Sequence, residues 1–347
     1  MITGRSRRMR RIERLSSPGV KVNMLKWLVI GIGDITTKRV IPALLEEKRS
    51  ELWGIVTRDP AKAAPYGARV FTGLGAALHA DGADAVYVAS PVFLHAPQTR
   101  ASLAAGKHVL CEKPMAMNYA EARAMVEAAH SAGKTLGVAY YRRTYPKVAR
   151  AKELLRQGAI GQPLLAYITS YEWRLPTEVQ RTWQFDPALA GGGPLFDIGS
   201  HRIDVLNFLF GEPHRVAAQL SNVIHATPVE DCATVMIEYA NKVRAIVDVR
   251  WNTHVARDEF RILGSDGQME LTPLSGPDLV YPGGREQLPT HPNLHYFCIQ
   301  NYVAAVLDGA PLLASGESSL WTDWVTELAV KSSAENHAHL PPPFIDS

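Results

Sequence analysis

A lysine suited to acid–base chemistry follows a short apolar run that ends at residue 111. The motif is Glu112-Lys113-Pro114. In an open parallel sheet, ligands bind outside the carboxyl ends of the strands, so Lys113 would lie beside a bound ligand. Its ammonium group could donate to a substrate oxygen and favour the alkoxide form during hydride transfer. The alternative is an ordinary surface lysine in a loop, since most lysines are exposed.

An aspartate and a histidine stand four residues apart, shortly after three glycines at 191–193. On a helix, Asp197 and His201 would share one face, so the carboxylate could lie near the imidazole and the pair could act as a proton relay. The same spacing could supply two metal ligands, but no third ligand stands at a convincing spacing, and we predict no metal site. A core histidine held by a carboxylate is the remaining alternative.

A glycine turn stands where a predicted strand meets a predicted helix. Gly31 and Gly33 follow an apolar run and precede apolar residues at helical spacing. Glycines there let a pyrophosphate approach the backbone amides at the positive end of the helix. We therefore predict that Gly31, Gly33, Asp34 and Ile35 bind a dinucleotide. Alone the motif is weak evidence, because Thr36 occupies the position of the third glycine.

The end of the predicted second strand bears on the choice of cofactor. NAD enzymes usually place a carboxylate there for the ribose hydroxyls, whereas NADP enzymes place a small residue with an arginine nearby. Here Thr57 stands at the carboxylate position and Arg58 follows it, which favours NADP. Asp59 could bind the ribose hydroxyls instead, so NAD is the alternative.

The pattern of predicted secondary structure changes near residue 145, which divides the chain into two domains. Five predicted strands alternate with helices over residues 24–145, which indicates a doubly wound parallel sheet of the Rossmann type. Residues 146–347 are rich in β-segments with few helices between them, which predicts an α+β domain with a large, mostly antiparallel sheet. We expect the first domain to bind the dinucleotide. The second would serve substrate binding and oligomerisation, with its C-terminal helices packing back on the first.

Charge is concentrated at the start of the chain. The formal net charge is +3, but the first 23 residues carry seven basic side chains against Glu13, or +6, which leaves −3 for the remainder. No apolar stretch of the length that an export signal needs follows the arginines. We expect residues 1–23 to be a disordered or mis-started leader, with the folded chain opening at Met24.

Composition indicates a globular protein of a reducing cytoplasm. The 347 residues fit two domains. The three cysteines are scattered and form no C-x-x-C pair. No run approaches the roughly 18 apolar residues of a membrane-spanning helix. We expect a small-molecule substrate and neither a nucleic-acid nor a membrane partner.

The order of the motifs resembles that of the Gfo/Idh/MocA family, the glucose-fructose oxidoreductase and inositol dehydrogenase family. The resemblance runs from Lys26 to the C-terminus. Its specific parts are the Lys-Pro pair after a strand and the pattern G-G-G-x-x-x-D-x-G-x-H; the glycine turn is less specific. Departures are Thr36 in that turn and the doubled arginine at 142–143, where many relatives carry a single one.

The resemblance implies roles for individual residues. Lys113, Asp197 and His201 match the family's active-site lysine, acid and histidine, with His201 as proton donor or acceptor. Pro114 would follow a cis peptide. The residues expected near the nicotinamide and ribose are Ser90, Pro91, His95 and Glu112. The residues expected at the substrate pocket are Tyr141, Arg143, Trp173 and Arg174, with a place in the core as the alternative for the aromatic ones.

The predicted activity is that of an NAD(P)-dependent dehydrogenase or reductase acting on CH–OH groups of a sugar, cyclitol or related polyol. NADP is the expected cofactor and NAD the alternative. Two other functions stay open: a glycosidase that uses tightly held NAD for transient oxidation, and a dinucleotide-binding regulator without turnover. The presence of Lys113 and His201 argues against the regulator. A sheet with one uncovered face often pairs with a second copy, so we expect a homodimer or homotetramer.

Overall fold

The computed structural model describes residues 23–178 and 182–335, which are organised around two sheets. Residues 1–22 of the predicted leader lie outside the described residues. Across those two ranges, no helix has both the length and the apolar character needed to span a bilayer.

The first sheet has six parallel strands in the order β3-β2-β1-β4-β5-β6. This confirms the predicted doubly wound parallel sheet. The order reverses between β1 and β4, which creates the crevice in which such sheets bind ligands. Its strands are β1 (Leu25–Ile30), β2 (Ser50–Val56), β3 (Arg69–Phe71), β4 (Ala85–Val88), β5 (His108–Cys111) and β6 (Leu136–Val138).

Five helices connect these strands, and their ends follow from local sequence. The longest begins after Asn118, whose side chain accepts a hydrogen bond from the Glu121 amide, and ends at Gly133 with φ +59°. A π-helical turn, Thr36–Val40, precedes the first helix. The helices are α1 (Ile41–Glu46), α2 (Pro60–Ala63), α3 (Leu74–His79), α4 (His95–Ala104) and α5 (Tyr119–Ala132).

The second sheet has eight strands in the order β14-β13-β12-β11-β7-β10-β9-β8. Only the pairing of β10 with β7 is parallel among these described strands, so the predicted mostly antiparallel sheet is confirmed. Its strands are β7 (Pro163–Trp173), β8 (Pro213–Ser221), β9 (Cys232–Tyr239), β10 (Arg244–Arg250), β11 (Asn252–Gly264), β12 (Gly267–Glu270), β13 (Asp278–Tyr281) and β14 (Gly284–Gln287).

The last two helices both contact the first half of the chain, and the last one also packs on the second sheet. The helices of this half are α6 (Pro146–Arg156), α7 (Pro187–Ala190), α8 (Ser200–Phe210), α9 (Tyr296–Asp308) and α10 (Gly316–Glu335). Helix α10 packs on β8 and α8 and also on α5. Its Glu327 carboxylate accepts from the Tyr119 amide at 2.8 Å, and in α9 the Tyr302 hydroxyl donates to the Thr135 carbonyl at 3.1 Å. These contacts fix the crevice of the first sheet against α8.

Candidate active site

The glycine turn lies where the strand order reverses. Gly31 has φ +93°, and an added Cβ would lie 2.8 Å from the Ala89 carbonyl oxygen just past β4, so a side chain is excluded. At Gly33 an added Cβ would meet nothing within 4 Å, so packing within the protein does not require glycine there. The bare backbone at Gly33 fits the close approach of a dinucleotide pyrophosphate.

A cavity of about 1080 Å³ extends from this turn to α8. Its volume slightly exceeds the usual range for ligand pockets, which suits a dinucleotide and a substrate together. Every residue predicted to bind the cofactor lines it: Gly31, Gly33, Asp34, Ile35, Thr57, Arg58, Ser90, Pro91, His95, Glu112 and Lys113. The second half of the chain adds Arg174, Asp197 and His201 to the walls.

Among the described residues, Asp197 contacts two cations in the cavity wall. Nζ of Lys113 lies 2.6 Å from Oδ1 of Asp197 and 3.0 Å from its carbonyl oxygen. Nη1 of Arg174 lies 3.2 Å from Oδ2. The Lys113–Pro114 peptide is cis, as the resemblance implied. Asp197 therefore holds the Lys113 ammonium in one orientation inside the cavity.

The glycine run before Asp197 permits a tight capped turn. The Glu230 carboxylate accepts from the Gly193 amide at 2.9 Å and from the Leu195 amide at 3.1 Å. An added Cβ at Gly193 would collide with the Glu230 carbonyl oxygen, so a larger residue would displace the turn. The glycines at 191–193 therefore determine where the helical segment that carries Asp197 begins.

The predicted relay between Asp197 and His201 needs correction. It assumed a regular α-helix, but Leu195–Gly199 form a π-helical turn, in which residues four apart no longer lie above one another. The Asp197 carboxylate contacts Lys113 and Arg174 instead. Nδ1 of His201 has no hydrogen-bond partner in the part of the chain that the structure describes. Asp197 orients the lysine rather than this imidazole nitrogen.

His201 lies in a buried, positively charged environment. Its ring centroid is 4.6 Å from that of Tyr141, and only 3% of the residue is exposed. Burial, followed by the positive charges of Lys113, Arg142 and Arg202, lowers the pKa of His201 well below its usual value. The imidazole is therefore neutral near pH 7 and can accept a proton from a substrate.

Two histidines, His95 and His295, hold the loops around Lys113. The sequence pattern did not reveal the second of them. The two ring nitrogens of His95 lie 2.9 Å from the carbonyl oxygens of Pro114 and Ser90, so this ring positions both loops rather than offering a free nitrogen. His295 lies 3.2 Å from Oε1 of Glu112.

Glu112 is a buried charged group beside Lys113. Burial acts to raise its pKa, but the hydrogen bond and charge of His295, the hydroxyl of Tyr87 at 2.7 Å and the charge of Lys113 together lower it. Glu112 is therefore an ionised carboxylate in the cavity wall.

Two family models match this chain over most of its described length. Residues 25–140 match the family described as "Oxidoreductase family, NAD-binding Rossmann fold", and residues 148–270 match the "GFO/IDH/MocA C-terminal domain". The chain belongs to the Gfo/Idh/MocA family of oxidoreductases. The resemblance inferred from the motifs is confirmed.

Several characterised Gfo/Idh/MocA proteins are similar over most of their length. The chain is 29% identical to 1,5-anhydro-D-fructose reductase of Ensifer adhaerens over 331 residues, 91% of this chain and 98% of the relative. It is 30% identical to D-xylose 1-dehydrogenase (NADP(+)) 2 of Haloferax volcanii over 262 residues, 72% of this chain and 76% of the relative. The structure of aldose-aldose oxidoreductase from Caulobacter crescentus, complexed with glycerol, superposes with a TM-score of 0.83 at 26% identity, covering 92% of this chain and all of that one.

The prediction that Arg143 of this Gfo/Idh/MocA oxidoreductase lines the substrate pocket is wrong. Arg143 is 1% exposed, and its Nη2 and Nε atoms pair with the carboxylate of fully buried Asp204. Its Nη1 atom donates to the Leu313 carbonyl at 2.9 Å and to the Ser318 hydroxyl at 2.6 Å. The guanidinium therefore lies between α8 and the start of α10, where these partners hold it.

Trp173 also lies away from the cavity, contrary to the prediction. Its ring stacks on His254 at 4.0 Å and meets the edge of His225 at 4.8 Å. Tyr141 and Arg174 do line the cavity, and their contact with the substrate stays a prediction. The cavity wall also includes Trp183, Gln184 and Trp251, to which no sequence motif pointed.

The environment of His201 predicts a measurable dependence of stability on pH. Because its pKa is lowered in the folded state, the unfolded chain binds an extra proton as the pH falls below about 6.5, and the native state loses stability. Replacing His201 with asparagine should reduce the slope of unfolding free energy against pH by up to about 1.4 kcal/mol per pH unit between roughly pH 5 and 6.5.

Urea unfolding at a series of pH values measures this slope. The exposed His79 supplies the control: the slope of unfolding free energy against pH should be the same in His79→Asn as in the parent protein. An equal slope in His201→Asn and the parent would contradict a neutral, desolvated imidazole at position 201.

Proposed function

We propose that this oxidoreductase transfers a hydride between a nicotinamide cofactor and a hydroxyl or carbonyl carbon of a sugar, cyclitol or related polyol. The observation that carries the proposal is that one cavity holds the glycine turn at one end and Lys113 and His201 at the other. The sugar substrates in the names of the two relatives support the substrate class.

The side chains suggest a division of roles. A bound nicotinamide supplies the redox chemistry. Lys113, oriented by Asp197, donates to the substrate oxygen and stabilises negative charge as it develops. His201 takes the hydroxyl proton in the oxidation direction and returns it in the reduction direction. The aromatic side chains of Trp183 and Trp251 exclude water around the reacting carbon.

A substrate screen tests the function. Purified protein would be mixed with NAD or NADP and a panel of aldoses, sugar acids, cyclitols and glycosides, and the absorbance of the reduced nicotinamide followed. We expect at least one class to reduce the cofactor. Release of a sugar from a glycoside without net cofactor reduction would favour the glycosidase. Cofactor binding without any turnover would favour the regulator.

We further propose that NADP is preferred over NAD. The carboxylate of Asp59, three residues after the end of β2, accepts from the Ala61 amide at 3.1 Å and so caps α2. Thr57 is buried and neutral, and its hydroxyl accepts from the Asp59 amide at 3.1 Å. Arg58 is exposed at the cavity wall, and Arg39 and Lys62 add positive charge to the same wall. This arrangement favours a 2′-phosphate over bare ribose hydroxyls.

Replacing Arg58 with alanine should therefore raise the dissociation constant for NADPH by roughly tenfold to a hundredfold, because a charge-assisted hydrogen bond contributes about 1.5–3 kcal/mol. The constant for NADH should change little. Fluorescence titration of both cofactors measures this, with Arg123→Ala as the control, because Arg123 is an exposed residue of α5 that does not line the cavity. Tighter NADH binding in the parent, or equal weakening of both cofactors, would contradict the assignment.

We propose a homodimer or homotetramer formed through the second sheet. Tyr167 and Met236 both pair in register with Ile246 and expose apolar surface on one face. The opposite face is covered, since α8 and the π-helical turn before it pack on β10. Light scattering during gel filtration should give a multiple of the chain mass. Tyr167→Glu should give the monomer, and a monomeric parent would contradict the proposal.

We also infer a reducing cytoplasmic location. The support is that Cys111, Cys232 and Cys298 are buried free thiols.

A further inference from the structure

Arg174 is held in one orientation in the cavity wall. It directly follows β7, and its backbone amide donates to the Trp251 carbonyl at 2.9 Å. Its guanidinium carbon lies 4.9 Å from the centre of the Trp251 ring, within the range of a cation–π contact. Its Nη1 atom donates to Oε1 of Gln184 at 3.0 Å, and its Nη2 atom lies 2.9 Å from Oε1 of Glu172. Contacts on several sides therefore leave this long side chain little freedom.

The same guanidinium shares the Asp197 carboxylate with Lys113. Nη1 of Arg174 lies 3.2 Å from Oδ2 of Asp197, whereas Nζ of Lys113 lies 2.6 Å from Oδ1. A carboxylate held through one oxygen can still rotate about its Cβ–Cγ bond, but contacts at both oxygens fix its plane. Arg174 therefore fixes the carboxylate that orients the Lys113 ammonium.

The three groups are also coupled through their charges. Two cations on one carboxylate repel each other, and each weakens the attraction between the carboxylate and the other cation. The side chains of Lys113, Asp197 and Arg174 are 14%, 24% and 22% exposed, so solvent screens these interactions only in part. The positive charge of Arg174 therefore makes it easier for Lys113 to release its proton.

Other polar groups face Lys113 from the elements packed around it. Glu112 precedes it in the loop after β5, and the Lys113 amide lies 3.3 Å from Oε2 of that carboxylate. His201 of α8, neutral near pH 7, and Tyr141 line the same cavity. These groups stay unchanged when position 174 is substituted, so a change in the behaviour of Lys113 can be assigned to the arginine.

We propose that Arg174 is a positioning residue for hydride transfer, which acts on Lys113 through Asp197 rather than by contacting the substrate. The inference rests on the proposed function and deepens it. A planar guanidinium suits this role, because it can donate to Asp197 and to a second acceptor while its face packs on an aromatic ring.

The first test needs no turnover. Cofactor-free protein is treated at pH 8 with a trace of acetic anhydride, and acetylation of Lys113 relative to that of the exposed Lys48 is measured by peptide mass spectrometry. Only an unprotonated amine reacts, so the ratio reports how readily Lys113 loses its proton. We expect Arg174→Gln to lower the ratio about twofold to threefold, which corresponds to about half a pH unit.

Two further variants make this test specific. Arg174→Lys keeps the positive charge, so its ratio should lie closer to that of the parent than the ratio of Arg174→Gln does. Arg123→Gln replaces an exposed arginine paired with Glu127 and should leave the ratio unchanged. An unchanged or higher ratio in Arg174→Gln would overturn the proposal.

The second test separates positioning from substrate binding, with any substrate that the screen identifies. In Arg174→Gln, kcat should fall about tenfold or more, because Lys113 is no longer held in place, while KM stays within about a factor of three. The alkaline limb of kcat against pH should move up by about half a pH unit in Arg174→Gln. In Arg174→Lys this limb should stay near that of the parent.

A rise in KM with kcat and the alkaline limb unchanged would make Arg174 a substrate ligand and would overturn the proposal. Failure of every substrate in the screen would contradict the proposed function instead. The acetylation ratio would then still decide whether Arg174 acts on Lys113.

Discussion

Replacing Lys113 with methionine should lower kcat by about 10²–10⁴-fold, the usual contribution of a positioned acid–base group. Methionine keeps most of the unbranched side chain, one atom shorter, but removes the ammonium that contacts Asp197 at 2.6 Å. Dissociation constants for NADPH should stay within roughly a factor of three, because the turn at Gly31 and Gly33 and the end of β2 are untouched. Initial rates and cofactor titrations measure the two effects separately.

The exposed Lys48 provides the control for this substitution, and Lys48→Met should turn over like the parent. Near-normal turnover in Lys113→Met would show that the lysine takes no part in catalysis. Parallel losses of cofactor binding and turnover would make it a cofactor ligand only.

Replacing Arg143 with methionine should lower the free energy of unfolding by about 3–5 kcal/mol, because the fully buried Asp204 carboxylate would lose its charged partner. The double variant Arg143→Met, Asp204→Leu should recover much of this loss, since it leaves no buried charge unpaired. Urea unfolding of the parent, the single variant and the double variant measures these changes.

This second prediction separates a structural arginine from a substrate ligand. If Arg143→Met kept the stability of the parent and raised KM for the substrate, the residue would belong to the pocket after all. If the double variant were no more stable than the single one, the ion pair with Asp204 would not explain the loss.

The fold was largely predictable because its signals are local. Apolar runs that end in glycines, and the Asn118 cap with Gly133 at the other end of α5, are read from neighbouring residues. The strands that escaped prediction are short and peripheral. Strand β3 has three residues on an edge and none is buried, so no apolar run marks it, and β13 and β14 have four residues each.

The site was predictable only where a motif carries it. Lys113 and His201 are parts of motifs, and the structure brings both to the cavity. His295 contacts Glu112 across 183 positions, so no spacing could reveal it. The partner of Asp197 was misassigned because a π-helical turn leaves no clear signal in the sequence. Arg143 was misassigned because an arginine in a buried ion pair cannot be told from a ligand-binding arginine by sequence alone.

The central claim is that this chain moves a hydride between substrate and nicotinamide with net oxidation or reduction. The most direct measurement follows deuterium from the reacting carbon of an active substrate to C4 of the nicotinamide by NMR. The account predicts deuterium in the reduced cofactor in proportion to oxidised substrate, and none with Lys113→Met on the same timescale. Deuterium returned to a hydrolysed sugar with the cofactor unchanged, or no transfer from any substrate in the panel, would contradict it.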